Sequence, residues 1–438
     1  MTQLATDLHP LLSVHQLPLG ANSGEPSFLN DLRRNAAARF EELGLPSRKD
    51  EAWRFTGVSH LADADLLPPD ATAEPPAFAP LNGAHRLVFV DGLLRAELSD
   101  IRGLPSGVQL EGMSTALARA PETLREGLGS GTSLADHPFE ALNTARFRDG
   151  AVLRIPAGAM VDQPIELAFL DGEVDRPTLS TPRILIVAER ASQATIVERH
   201  LSGTGRSLHC AVSEIVLEDG AVLDHYRIVD EGPDTTHIAA IDVRLGRDSA
   251  YRGHGFTIGG GLVRNDIVAT LNGEGADATL NGLYLTGGRQ HVDNHLRVRH
   301  AAPHCTSHQL YKGVLDDRSR AVFNGRIIVD PGAQKTDAKQ SNRNLLLSET
   351  ALVHSNPQLE IFADDVRCTH GSTIGRLDED AIFYLRSRGI DRMTAESLLT
   401  FAFASEVVDR VRLEPVRDRL REVLLGRLPG SDLIREAL

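Results

Sequence analysis

The chain has 438 residues, enough to bury a large core in two or three domains or in one elongated repeat. Its net charge of −14 argues against a general nucleic-acid or anionic-membrane binder. Three widely separated cysteines, Cys210, Cys305 and Cys368, argue against a disulfide framework and point to a reducing compartment, so a cytoplasmic protein is expected.

Met1 to His15 has no basic segment followed by an apolar one, and no stretch approaches the roughly 18 apolar residues of a bilayer span. Secretion, membrane insertion and an organellar transit segment are therefore not expected. Phe28 to Leu43 carries Leu29, Leu32, Ala36 and Phe40 at helical spacing, and Gly44-Leu45-Pro46 stops that helix. Ser47 and Asp50 read as a cap opening a second helix with Trp53 and Phe55. A Pro/Ala/Asp-rich linker follows from Leu66 to Pro80, then a strand at Arg86 to Val90 entering a turn at Asp91-Gly92.

From about Asp149 short β-type runs alternate with Gly, Asp and Asn for over two hundred residues. Alanines entering such runs recur at Ala151, Ala194, Ala221, Ala250, Ala278, Ala321 and Ala351, with spacings of 43, 27, 29, 28, 43 and 30. A period in this range, with short strands and no covering helices, implies a β-solenoid whose longer gaps hold a half-coil or a surface loop. Helical signals return after His370: Asp378 caps a helix ending at Gly389, Thr394 caps a second, and Pro415 opens a third. The expected divisions are 1–80 (helical, with linker), 81–148 (mixed), 149–375 (solenoid) and 376–438 (helical). The terminal helices are expected to cap the solenoid ends.

No P-loop and no Gly-x-Ser-x-Gly elbow occurs, so the chain has no nucleotide site of its own by sequence, and Gly259-Gly260-Gly261 reads as a turn. Five histidines fall between His291 and His308, beside Cys305. Their spacing matches no zinc motif, so His304, Cys305 and His308 are weak ligand candidates. Cys368 and His370 are stronger, because residues at i and i+2 of a strand share a face. Two ligands make half of a metal site, and a packed cysteine beside a satisfied histidine is the plain alternative. The adjacent Asp364-Asp365 reads as a solvated turn, and Trp53 as a core anchor.

Several segments resemble one family in chain order: Lys49-Asp50-Glu51-Ala52-Trp53-Arg54-Phe55-Thr56, Pro303-His304-Cys305-Thr306-Ser307, Val322-Phe323-Asn324-Gly325, Ala333 to Ala338, Asn344 to Ser348, Ala363 to Gly371, and Phe383 to Ile390. The chain is similar to the SufB/SufD family of the SUF iron–sulfur cluster assembly system, and Cys368-Thr369-His370-Gly371 has the SufD form. The resemblance implies a mainly β protein, with a right-handed parallel β-helix core flanked by N- and C-terminal α-helical domains. It implies a non-catalytic scaffold that pairs with a SufB-like paralogue and binds a SufC-like ABC-type ATPase through its C-terminal helices; pairing of the isolated chain with itself stays open. A transient iron–sulfur cluster would form at the shared interface with His370 as ligand and Cys368 close by; no residue assigns a flavin. Two alternatives stay open, a β-helix enzyme acting on polysaccharides and a purely structural SufB partner. An aromatic content of 5% disfavours the first.

Overall fold

From Gln193–Leu201 onward, strands adjacent in sequence do not pair, whereas strands two apart do. Val222–Asp230 is flanked in parallel by Gln193–Leu201 and Ala250–Thr257. The intervening Thr235–Leu245 is flanked by Ser207–Leu217 and Leu262–Leu271. The chain thus alternates between two sheets, one strand to each per coil, and the pattern continues to Leu352–Ile361 in one sheet and Arg367–Gly375 in the other. This parallel β-solenoid, with helices toward both termini, is the expected architecture. The computed structural model describes residues 9–14, 25–125, 127–130, 137–172, 177–203, 205–431 and 434–435. The reading of Met1 to His15 therefore falls mostly outside the described residues.

The alanine repeat marks the coils and explains its own irregularity. Ala278 lies on Asp277–Thr286 in one sheet and Ala321 on Arg320–Val329 in the other, so that longer gap spans a coil and a half. The gap from Ala151 to Ala194 likewise crosses from one sheet to the other. The repeat is not the register, however: Ala194 pairs with Leu223, two residues past Ala221. Six of the seven alanines are buried; Ala250 is half-buried.

Inward-facing residues stack coil on coil. Leu217, Leu245 and Leu271 form one ladder, each at most 1% exposed, and burying a leucine contributes about 1.5–3 kcal/mol. Tyrosine rings fill the lumen where glycine leaves room. A Cβ on Gly282 would lie 2.2 Å from the Tyr311 ring, and one on Gly313 would lie 2.1 Å from the Tyr284 ring.

Segment 81–148 adds strands to both sheets. His85–Val90 pairs in parallel with Ile165–Leu170, and Gln109–Gly112 in antiparallel with Gly150–Ile155. Asp91 and Gly92 then turn the chain with positive φ. Gly259-Gly260-Gly261 makes the expected turn, with Gly260 at φ 91°.

The helices depart from expectation in three places. Ser27–Leu43 forms as read, but the second helix is only a 3₁₀ turn, Glu51–Trp53. The Ser47/Asp50 cap does form, through Ser47 N–H to Asp50 Oδ2 at 2.7 Å, and the chain then bends because Trp53 docks beside Phe139 and under Arg264. Asp391 caps Arg392–Val408, accepting from Thr394 N–H at 3.0 Å, which puts Thr394 inside the helix instead of at its cap. The third departure concerns the solenoid ends. Val407, Val408, Leu420 and Leu424 pack on Tyr226, Phe256 and Leu283 along the outer face of one sheet. Leu12, Phe40, Phe139 and Leu142 pack with Leu208 and Ile238 on the other sheet. Both helical regions therefore flank the sheets, because their apolar stripes match the apolar outer strand faces. The last coil is left uncovered.

Candidate functional site

Leu352–Ile361 and Arg367–Gly375 are the last strands of their sheets, each paired on one side only. An unpaired edge offers backbone N–H and C=O groups to another chain. The same coil exposes Leu352, Ile361, Phe362 and Ile374, all at least 40% accessible. Asp364 and Asp365 form the exposed corner between the strands, where the Asp365 carboxylate is paired with Lys335, itself at positive φ.

Cys368 and His370 lie on this final strand. Their register partners are Ala338 and Gln340, 0 and 3% exposed. Gln340 points between the sheets, since a Cβ on Gly325 of the opposite sheet would lie 2.3 Å from its Nε2. The strand alternation therefore sends both the thiol and the imidazole toward the solenoid interior. Cys368 is half-buried against Ile327, Val329 and Ala338, and burial pushes its thiol up from its ordinary value against a small opposing effect of the Ala338 backbone. His370 is exposed and has no side-chain hydrogen bond among the described residues. A soft sulfur and a free imidazole thus face inward at an end of the solenoid with no further coil, positioned to ligate a group from one side only.

The weaker candidates diverge. Cys305 is fully buried, its thiol donating to Gly273 O at 3.2 Å and pushed up by burial. His304 is exposed in a turn at φ 58°. His308 stands in register with Thr279 and Lys339 on the strand face opposite Ser307 and Gln309. Their neighbours are separately engaged: His291 with Thr56 Oγ1 at 3.0 Å, His295 with Asp293 Oδ1 at 3.0 Å, and His300 with Ser307 Oγ at 2.8 Å. The structure brings Cys368 and His370 together and does not bring these residues into one site.

Sequence reasoning missed a buried polar cluster inside the solenoid, built from Glu198, His200, His225, Arg227, Glu231 and His237. Glu198 holds His200 at 2.6 Å, His225 at 3.1 Å and Arg227 at 2.9 Å. The signal was available, because Glu198-x-His200 and His225-x-Arg227 have the same i, i+2 spacing as Cys368-x-His370.

The profile described as SUF system FeS cluster assembly, SufBD core domain, matches residues 170–403. The SufBD protein N-terminal region matches residues 81–167. The chain belongs to the SufBD family of iron–sulfur cluster assembly proteins. An iron–sulfur cluster assembly SufBD family protein of Synechocystis is 35% identical over 92% of each chain. The iron–sulfur cluster assembly protein SufD of Escherichia coli is 32% identical over 89% of this chain and 90% of its own length. That of Bacillus subtilis is 29% identical over 91% and 94%. This SufBD family member is therefore SufD-like. No helix among its described residues is long and apolar enough to cross a membrane.

Proposed function

We propose that the chain is the SufD-type scaffold subunit of a cytoplasmic iron–sulfur cluster assembly complex. Its open solenoid end pairs edge to edge with a SufB-like paralogue, and His370, with Cys368 beside it, contributes to a nascent cluster shared across that boundary. A separate SufC-like ABC-type ATPase docks on the C-terminal helices and hydrolyses ATP. The isolated chain uses the same end to pair with a copy of itself.

One observation carries this reading: the two strongest ligand candidates face inward on a terminal coil whose edges and apolar residues are uncovered among the described residues. Pairing another sheet onto those edges buries the apolar rim and encloses the two side chains together with whatever ligands the partner brings. A cluster held partly by imidazole across a boundary is bound less firmly than one in a closed four-thiolate cage, so motion of the partners can release it.

The test is co-purification with SufB-like and SufC-like partners, followed by anaerobic reconstitution and absorption spectroscopy of wild type and His370→Ala. The variant is expected to assemble normally and to lose cluster build-up. Normal cluster yield in His370→Ala would remove His370 from the ligand set, and failure to co-purify would remove the pairing.

A further inference from the structure

Far along the solenoid from Cys368, three potential metal ligands converge at one inner corner. His200 lies on Gln193–Leu201, in the row beside Val229. Glu231 follows Val222–Asp230, and His237 lies on Thr235–Leu245. Their ligand atoms are within 4.8 Å of one another, and the residues are 1, 5 and 0% exposed.

The hydrogen bonds leave ligand positions available. His200 donates from Nε2 to Glu198 Oε1 at 2.6 Å, which fixes its tautomer and leaves the Nδ1 electron pair free. A carboxylate behind the far nitrogen is the usual support of a metal-bound imidazole. His237 donates from Nδ1 to Glu231 Oε1 at 2.9 Å, so its Nε2 is an acceptor, and Arg227 Nη2 donates to it. Glu231 Oε2 is buried and has no hydrogen-bond partner. An orphaned carboxylate oxygen in so buried a place is the independent sign that a cation belongs there.

We propose that His200, Glu231 and His237 bind one divalent transition-metal ion of the zinc or iron(II) class, which displaces the Arg227 guanidinium from His237 Nε2. Arg227 donates also to Glu198 at 2.9 Å and Asn265 at 2.6 Å, and His209 pairs through Nδ1 with Glu231 Oε1 at 2.6 Å, so the ion joins a site that already holds partners on one carboxylate oxygen. A cavity of about 30 Å³ borders Arg227, His225 and Asn265. The ligand atoms then close to the separation of about 3.3 Å set by tetrahedral bonds near 2 Å. Two imidazoles and one carboxylate suit zinc and iron(II) and disfavour the all-oxygen ions calcium and magnesium.

The test titrates the chelator-stripped full chain anaerobically with cobalt(II), then competes it with zinc and iron(II). One equivalent of cobalt with a low-symmetry absorption spectrum is expected, retained by the Cys368→Ser/His370→Ala double variant. Glu231→Gln is expected to weaken binding by about 100-fold and Glu198→Gln, which weakens the support of His200 and also loosens His225 and Arg227, by about 10-fold. Arg227→Met removes the competing cation and is expected to tighten binding, an outcome that stands even where Glu231→Gln fails to fold. Absence of micromolar cobalt binding by the wild type overturns the proposal. So does binding that persists in Glu231→Gln and vanishes in the double variant, or binding that Arg227→Met leaves no tighter.

Discussion

His370 stands in parallel register with Gln340, which stands in register with Gln309 and donates to its side-chain oxygen at 2.8 Å. One interior row thus runs Gln309, Gln340, His370. The first two are 4 and 3% exposed, and only the third meets solvent, because the coils stop there. The exposure of His370 is a property of the solenoid's end, and a partner that continues the sheet removes it.

The same geometry sets thiol reactivity. Cys210 and Cys305 are buried and donate to the backbone oxygens of Phe139 and Gly273, and burial pushes both thiols up. Cys368 is half-buried and also pushed up by burial, so little thiolate forms near neutrality. In the isolated native chain, a maleimide at pH 7 is expected to modify one thiol slowly and three after denaturation. Mass spectrometry locates the native adduct, and fast modification at Cys210 or Cys305 contradicts the packing.

How much of this was legible in the sequence depended on the range of the determining contacts. The alanine recurrence revealed the coils because every coil turns the same corner, a local requirement repeated down the chain. Cys368-x-His370 stood out because strand alternation alone places both on one face. The site's open end was not legible: whether Val407 and Leu420 cover the last coil or the flank depends on the apolar outer positions Tyr226, Phe256 and Leu283, nearly two hundred residues away for the first of these. The shortening of the second helix to Glu51–Trp53 was decided by Trp53 finding Phe139 and Arg264, again a distant contact. The Glu198 and Glu231 clusters depend on strands of both sheets closing over them, a non-local arrangement.

Acid sensitivity follows from the buried histidines. Burial depresses His300 to about 4, and burial first, then nearby arginines, depresses His254 to about 4. An unfolded-chain imidazole titrates near 6.5, so between about pH 6.5 and 4 the unfolded chain binds protons the folded chain refuses. The contribution of these two histidines is therefore intact above about pH 6.5 and is lost as pH drops toward 4, by on the order of 3 kcal/mol for His300, while Asp242, raised by burial to about 7, acts with opposite sign in the same window. His209, held well above its ordinary value by Asp171 and Glu231 against the effect of burial, acts with opposite sign above pH 6.5, outside this window. Urea denaturation across pH 4–7 checks the slope, and His300→Gln is expected to make it shallower. A slope unchanged by that substitution assigns the sensitivity to other groups.

Arg264 joins the N-terminal region to the solenoid. Its guanidinium is 1% exposed and lies 3.8 Å from the Trp53 ring centroid. It donates to the Ala52 carbonyl at 2.7 Å, to both Asp266 oxygens at 2.7 and 2.8 Å, and to Asp293 Oδ2 at 2.8 Å. Removing it leaves the buried Asp293 and half-buried Asp266 carboxylates without their main cation, which costs about 3–5 kcal/mol, and frees the Trp53 face. Arg264→Met keeps much of the volume and loses the charge, so the electrostatic loss dominates. Adding Asp266→Asn and Asp293→Asn neutralises the stranded carboxylates and is expected to restore part of the stability, since the penalty lies in the unpaired charges. Guanidinium unfolding followed by Trp53 fluorescence, the only tryptophan signal in the chain, reads both effects. A single variant as stable as wild type, or a triple variant no better than the single one, refutes the pairing as the anchor.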